Sequence, residues 1–153
     1  MNYFILVCAD SENAAGEPIS AHALATQRLK QRKWPLYRNT RNRRHVSPGD
    51  QCLFYIGGKK ENRQSIIGRA VVVSVEPWSH SKRSVDLPSF LDESPASVVH
   101  IENIDFFTSP LHILPLLDRL LLTARMMPRW GSALQGGCVR IQQCDFEILA
   151  PPS

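Results

Sequence analysis

Trp34-Pro35-Leu36-Tyr37-Arg38-Asn39-Thr40 gathers two aromatic rings, a guanidinium, an amide and a hydroxyl into one short stretch. Flat rings can sandwich a base, Asn can pair with a base edge and Arg can reach a phosphate. The rival reading is architectural: Trp34 and Tyr37 cover a core and Asn39 caps a turn. Trp78 and Trp130 are two further rings that could complete a pocket, and either could equally be a buried core tryptophan.

Charge points the same way. The chain of 153 residues carries a net charge of +4, and its basic residues are clustered. No acidic residue lies between Glu17 and Asp50, a window that holds Arg28, Lys30, Arg32, Lys33, Arg38, Arg41, Arg43 and Arg44. Lys59, Lys60 and Arg63 follow. Eleven of the 18 Lys and Arg residues thus fall within Arg28–Arg63, against only Asp50 and Glu61. Such a cluster raises the local positive potential and would release counterions from a phosphate backbone. A solvated face without a partner is the plainer alternative. Within the cluster, Arg38, Arg41, Arg43, Arg44, Lys59 and Lys60 are the candidate phosphate ligands.

Catalytic signatures are missing from the sequence. It has no Gly-x-Ser-x-Gly elbow, Walker loop, dinucleotide fingerprint or His-Glu-x-x-His helix. His22, His45, His80, His100 and His112 are scattered. Cys8, Cys52, Cys138 and Cys144 lack Cys-x-x-Cys spacing, so reduced, mostly buried thiols are expected rather than a zinc site. Neither catalytic residues, a metal nor a cofactor is expected.

The elements that must position these residues read as follows. Residues 2–8 are a buried strand rich in β-formers. Ser20 caps a helix over about 21–32, which Trp34-Pro35 ends. Residues 35–50 are a basic connection closing in the turn Ser47-Pro48-Gly49-Asp50. Strands are expected at 51–56, 65–75 and 98–107, with a Pro- and Ser-rich excursion at 76–97. A second helix is placed at about 115–125, and strand-like runs at Cys138–Ile141 and Phe146–Leu149 close the chain. With 43% hydrophobic residues, this length suits one domain spanning 1–153. Many short strands with two helices suit a strongly bent sheet or barrel. No apolar run nears the roughly 18 residues of a membrane span, and no signal peptide opens the chain, so a cytoplasmic protein is expected.

The ordered set Tyr3-Phe4, Trp34-x-x-x-Arg38-Asn39, Gly49-Asp50-x-x-x-Phe54-Tyr55, Ile67-Gly68-x-Ala70-x-Val72 and Arg129-Trp130-Gly131 resembles the EVE domain family. That family is a branch of the PUA-like superfamily related to YTH domains. The resemblance implies an α+β fold: a PUA-like β-barrel of strongly bent mixed sheet with flanking helices. It also implies a pocket for a flipped-out, modified nucleobase. Within it, Gly49-Asp50 makes the turn into the central strand, Phe54-Tyr55 sends rings to opposite faces, and Gly68 permits close approach of another backbone or a ligand.

Together these readings give a non-catalytic module for DNA or RNA carrying a modified base. Trp34, Tyr37, Asn39 and Thr40, with Trp78 or Trp130, would line its pocket. The alternatives are an enzyme acting on modified nucleotides or bases, and a module for a small metabolite or a protein partner.

Overall fold

The structure, a computed structural model, describes residues 1–12, 15–58, 63–78 and 95–150. In chain order the strands are β1 (Tyr3–Cys8), β2 (Ser11–Glu12), β3 (Pro18–Ile19), β4 (Lys33–Leu36), β5 (Gln51–Ile56), β6 (Ser65–Pro77), β7 (Ser97–His112) and β8 (Cys138–Ile141). The helices are α1 (Ala21–Gln31), α2 (Leu121–Ala124) and α3 (Gln143–Leu149), with 3-10 turns at Leu114–Leu116 and Trp130–Leu134. Six strands form one mixed sheet in the order β4-β7-β6-β5-β1-β8, while β2 and β3 pair separately. The sheet is strongly curled into a half-barrel, the bent PUA-like architecture expected from the sequence.

Alternation along the strands builds two apolar layers on one sheet. Phe4, Leu6, Cys8, Cys52, Phe54 and Ile56 face α1. Ile5, Leu53 and Tyr55 face the other way, against Ile113, Leu117, Leu134, Phe146 and Leu149. Phe54 and Tyr55 therefore serve opposite layers. Strand β1 lies inside the sheet, parallel to β5 and antiparallel to β8, and Phe4, Ile5 and Leu6 are buried.

Curling is concentrated in the long β6–β7 pair, whose register shifts at three places. Bulges of this kind bend a strand and increase its twist. Gly68 sits at one of them, opposite Phe106. A Cβ there would lie 2.7 Å from the Asp105 carbonyl oxygen, so the close approach is to backbone.

Two carboxylates fasten loops to this frame. Asp50, 3% exposed, accepts hydrogen bonds from the amides of Asn2 and Ser47, both at 2.9 Å. That closes the Ser47–Asp50 turn. Asp145, 1% exposed, accepts from the amides of Leu121 and Leu122, both at 2.9 Å. Its side chain thereby ties α3 to the start of α2.

The ordered elements depart from expectation in three places. Trp34 and Pro35 do not merely end the first helix. That helix stops at Arg32 in a left-handed conformation (φ 58°), and Lys33–Leu36 pairs with Ser97–His100 as an edge strand. Proline is tolerated there because an edge strand leaves some amides unpaired. The expected helix over 115–125 is reduced to a 3-10 turn and the short α2. Phe146–Leu149 belongs to a helix instead of a strand: Phe146, Leu149 and Ala150 share one buried face at helical spacing.

Among the described residues no helix is long and apolar enough to cross a membrane. The cysteines are free, with Cys8, Cys52 and Cys138 buried and Cys144 exposed. Burial raises the pKa of all three interior thiols, that of Cys138 to about 12. Protonated, enclosed thiols are poor nucleophiles. A native titration with a chromogenic disulfide is expected to modify one fast thiol, Cys144, and all four after denaturation; a second fast native thiol would contradict the packing.

Candidate nucleic-acid interface

The basic segment is held as a defined loop at one rim of the sheet. Beyond β4 the chain turns tightly: the Thr40 hydroxyl accepts from the Tyr37 amide, and the Thr40 amide donates to the Tyr37 carbonyl, both at 3.0 Å. Arg38 and Asn39 project from the tip of this turn and are exposed. Arg43 Nε donates to the Arg38 carbonyl at 3.0 Å, which braces the turn from the following residues.

A second turn receives the loop. The Arg41 amide donates to the Gly136 carbonyl, and Asn42 Nδ2 to the Cys138 carbonyl, both at 3.0 Å. Gly136 and Gly137 have φ of 92° and 80°, a region that side chains disfavour. Added Cβ atoms would meet the Arg41 side chain at 2.9 Å and Thr40 Cγ2 at 3.3 Å. The Gly137 carbonyl accepts from Val7, and the Cys8 carbonyl accepts from Gly57. The C-terminal end of β1 thus joins the basic loop, the Gly136-Gly137 turn and the start of the Gly57-Gly58 loop into one rim.

Electrostatically this rim is one-sided. Arg38, Arg41 and Arg44 are exposed and Arg43 is partly so. None of the four pairs with a carboxylate among the described residues. By contrast, Arg63 is taken up by Asp10 at 2.7 Å. Lys59 and Lys60 lie outside the described residues.

The six expected pocket residues are not brought to one place. Tyr37, Asn39 and Thr40 share the turn just described. Trp78 stands at the same end of the sheet: its amide donates to the Ala96 carbonyl, and the Ala96 amide to the Leu36 carbonyl. Trp130 packs against the opposite apolar layer, with Leu134 of the same 3-10 turn buried there.

Trp34 requires a correction. A ring standing in a pocket would be partly exposed, yet Trp34 is 2% exposed and belongs to the layer beneath α1. Its position in β4, opposite Val99, turns the ring inward with Leu36. Phe54 lies against it at 5.1 Å between centroids, and the Arg28 guanidinium lies 5.0 Å from its ring centre. Trp34 therefore supports the rim from within.

Arg28 is a residue that sequence reasoning counted only as part of the basic run. It is 7% exposed, buried with Ala21, Leu24 and Ala25 on one face of α1. The spacing 21, 24, 25, 28 carries that signal, since it is the apolar face of a helix.

Among the described residues, two clefts lie elsewhere. One of about 310 Å³ separates Tyr3, Gln51 and Arg69 from α3. The other, about 500 Å³, lies between the end of α1 and the bulged part of β7. Neither is lined by any of the six expected pocket residues. No cluster of His, Cys, Asp and Glu among the described residues could hold a metal.

Known structures share this architecture. The N-terminal domain of Staphylothermus marinus McrB aligns with a TM-score of 0.63 at 10% identity, covering 96% of this chain and 92% of its own. A protein of Agrobacterium tumefaciens gives 0.58 at 15% identity, covering 100% and 98%. Human THYN1, solved in complex with DNA containing 5-methylcytosine, gives 0.55 at 17% identity, covering 97% and 95%. No curated protein matches the sequence. The EVE domain profile matches residues 11–150, from the paired strands before α1 to the end of α3. With the half-barrel, the rim loop and that match in agreement, the chain belongs to the EVE domain family.

Proposed function

We propose that this chain is a non-catalytic nucleic-acid-binding module that holds an extruded, modified base at the rim. Arg38, Arg41, Arg43 and Arg44 follow the phosphate backbone, and Lys59 and Lys60 are the further candidate phosphate ligands. Tyr37, Asn39, Thr40 and Trp78 meet the nucleotide as it leaves the strand. Phosphate contacts hold and orient, whereas base contacts specify.

The observation that carries this reading is the row of guanidiniums with no carboxylate partner among the described residues, on a loop hydrogen-bonded to the Gly136-Gly137 turn. A fixed cationic edge of this kind meets a polyanion without first ordering itself. The THYN1 complex with 5-methylcytosine DNA supports DNA as the partner and a modified base as the target. Extruding a base costs a few kcal/mol, and aromatic stacking at about 1–3 kcal/mol per base offsets it.

Salt dependence tests the reading. Replacing Arg38, Arg41 and Arg44 with Ala removes up to three phosphate contacts. The slope of log K against log salt is then expected to flatten by about 2–3, at roughly 0.7–0.9 per contact, equally for modified and unmodified oligonucleotides. An unchanged slope would show that the arginines form a solvated face only.

A further inference from the structure

At the end of the sheet away from the rim, two opposite charges share a cleft without meeting. Strands β1 and β5 run parallel, so Tyr3 and Gln51 stand at the start of strands whose far ends meet the rim. The extended chain from Tyr3 to Cys8 puts about 16 Å between the two places. The cleft of about 310 Å³ opens there, with Arg69 of β6 on the sheet side and Glu147 of α3 on the helix side. Its volume is at the small end of ligand clefts, which run to about 300–1,000 Å³.

Each charge is held in place, yet neither is neutralised. Arg69 is half-buried, its guanidinium 5.4 Å from the centre of the Phe146 ring. Its one hydrogen bond among the described residues is long, 3.4 Å from Nη2 to Gln51 Oε1. No carboxylate among those residues forms an ion pair with it, not even that of Asp105, its register partner on β7. On the other side, Glu147 Oε1 accepts from Gln143 Nε2 at 3.1 Å, one helical turn back. Glu147 likewise has no cation partner among the described residues. Unlike charges that line one cleft and do not touch leave room for a ligand between them. Tyr3 and Phe146, with ring centroids 4.8 Å apart, give that space an aromatic floor.

We propose that this cleft is a second ligand site, for a free α-amino acid with an apolar side chain. The α-carboxylate takes the open edge of the Arg69 guanidinium, whose planar fork matches it. The α-ammonium, with three donors, meets the second Glu147 oxygen and Gln143 Oε1. The side chain lies on the Tyr3 and Phe146 rings.

A ligand of one sign fits less well. An anion such as a nucleotide phosphate would stand opposite Glu147, and a simple amine would stand opposite Arg69. Partly buried charges are screened weakly, so both repulsions are felt. This separates the cleft from the rim, whose arginines have no carboxylate among them.

Titration calorimetry of the full chain with L-phenylalanine, glycine, L-phenylalaninamide and N-acetyl-L-phenylalanine tests the proposal. L-phenylalanine is expected to bind at one site per chain, at least tenfold more tightly than the other three. Those lack the side chain, the carboxylate and the ammonium in turn. Arg69→Met is expected to lower L-phenylalanine to the affinity of the amide, and Glu147→Gln to that of the acetylated acid. Glu147 is exposed on α3, so its variant decides the matter if losing the Arg69 stack unfolds the other. Neither variant is expected to change the salt slope of oligonucleotide binding. A wild-type Kd for L-phenylalanine above about 1 mM, equal binding of any other probe, or an affinity unchanged in Glu147→Gln would overturn the assignment. So would a salt slope flattened by Arg69→Met, because that guanidinium would then belong to a phosphate contact.

Discussion

Trp34→Ala is expected to unfold the protein's margin of stability before it touches recognition. The ring is 2% exposed, lies against Phe54 at 5.1 Å and carries the Arg28 guanidinium on its face. Truncating a buried tryptophan costs about 3–5 kcal/mol, because the transfer energy is lost and a cavity remains. At about 2–4 °C per kcal/mol for a domain of this size, the melting temperature falls by roughly 10 °C or more. Trp34→Phe keeps an aromatic face under Arg28 and should recover much of the loss. A melting temperature within a degree or two of wild type for Trp34→Ala, together with lost oligonucleotide affinity, would return the ring to the pocket wall.

The second large effect is expected at Gly68. A Cβ there stands 2.7 Å from the Asp105 carbonyl oxygen and 3.4 Å from the Phe106 Cα. Both are backbone atoms, so neither can rotate aside as a side chain could. Gly68→Val adds two further methyl groups at a point where the β6–β7 register already shifts. Overpacking costs about 1–3 kcal/mol, and this site belongs at the upper end. Urea unfolding is expected to show a lower midpoint at an unchanged m-value. A midpoint equal to wild type would mean that the two strands separate there at no cost.

Much of the sheet was legible in local composition. The β-branched and aromatic runs at 2–8, 51–56 and 65–75 became β1, β5 and β6 with small changes at their ends, while the run at 98–107 became β7 but continues five residues further, to His112. Ser20 caps α1 as read, its hydroxyl accepting from the Ala23 amide at 3.1 Å. The misses are where distant partners decide. Lys33–Leu36 is a strand because Ser97–His100, far along the chain, offers it a ladder. The run at Phe146 is short enough to suit either period, and Asp145 settles it by reaching back to the amides of Leu121 and Leu122.

At the candidate site, residue type was legible and direction was not. Charge clustering located the rim arginines, since solvated guanidiniums need no partner to stay at the surface. Whether an aromatic in a basic loop faces water or core depends on strand parity, which one residue of register reverses. Trp34 shows this: an edge strand, unseen in the sequence, turned it inward. Arg28 shows the converse, a charged residue whose helical spacing outweighed its charge.

The place of β1 has a consequence for how the protein is made. This strand is made before both of its partners, pairing with β5 some fifty residues later and with β8 later still. Until Cys138–Ile141 has left the ribosome, the apolar β1 has one ladder edge without its partner. Open edges recruit other chains, and long-range pairings form slowly because loop closure must precede them. The growing chain therefore passes through a window in which a strand destined for the interior of the sheet is also an adhesive one. The Gly136-Gly137 turn, which binds both Val7 and Arg41, ends that window and assembles the basic rim in the same step.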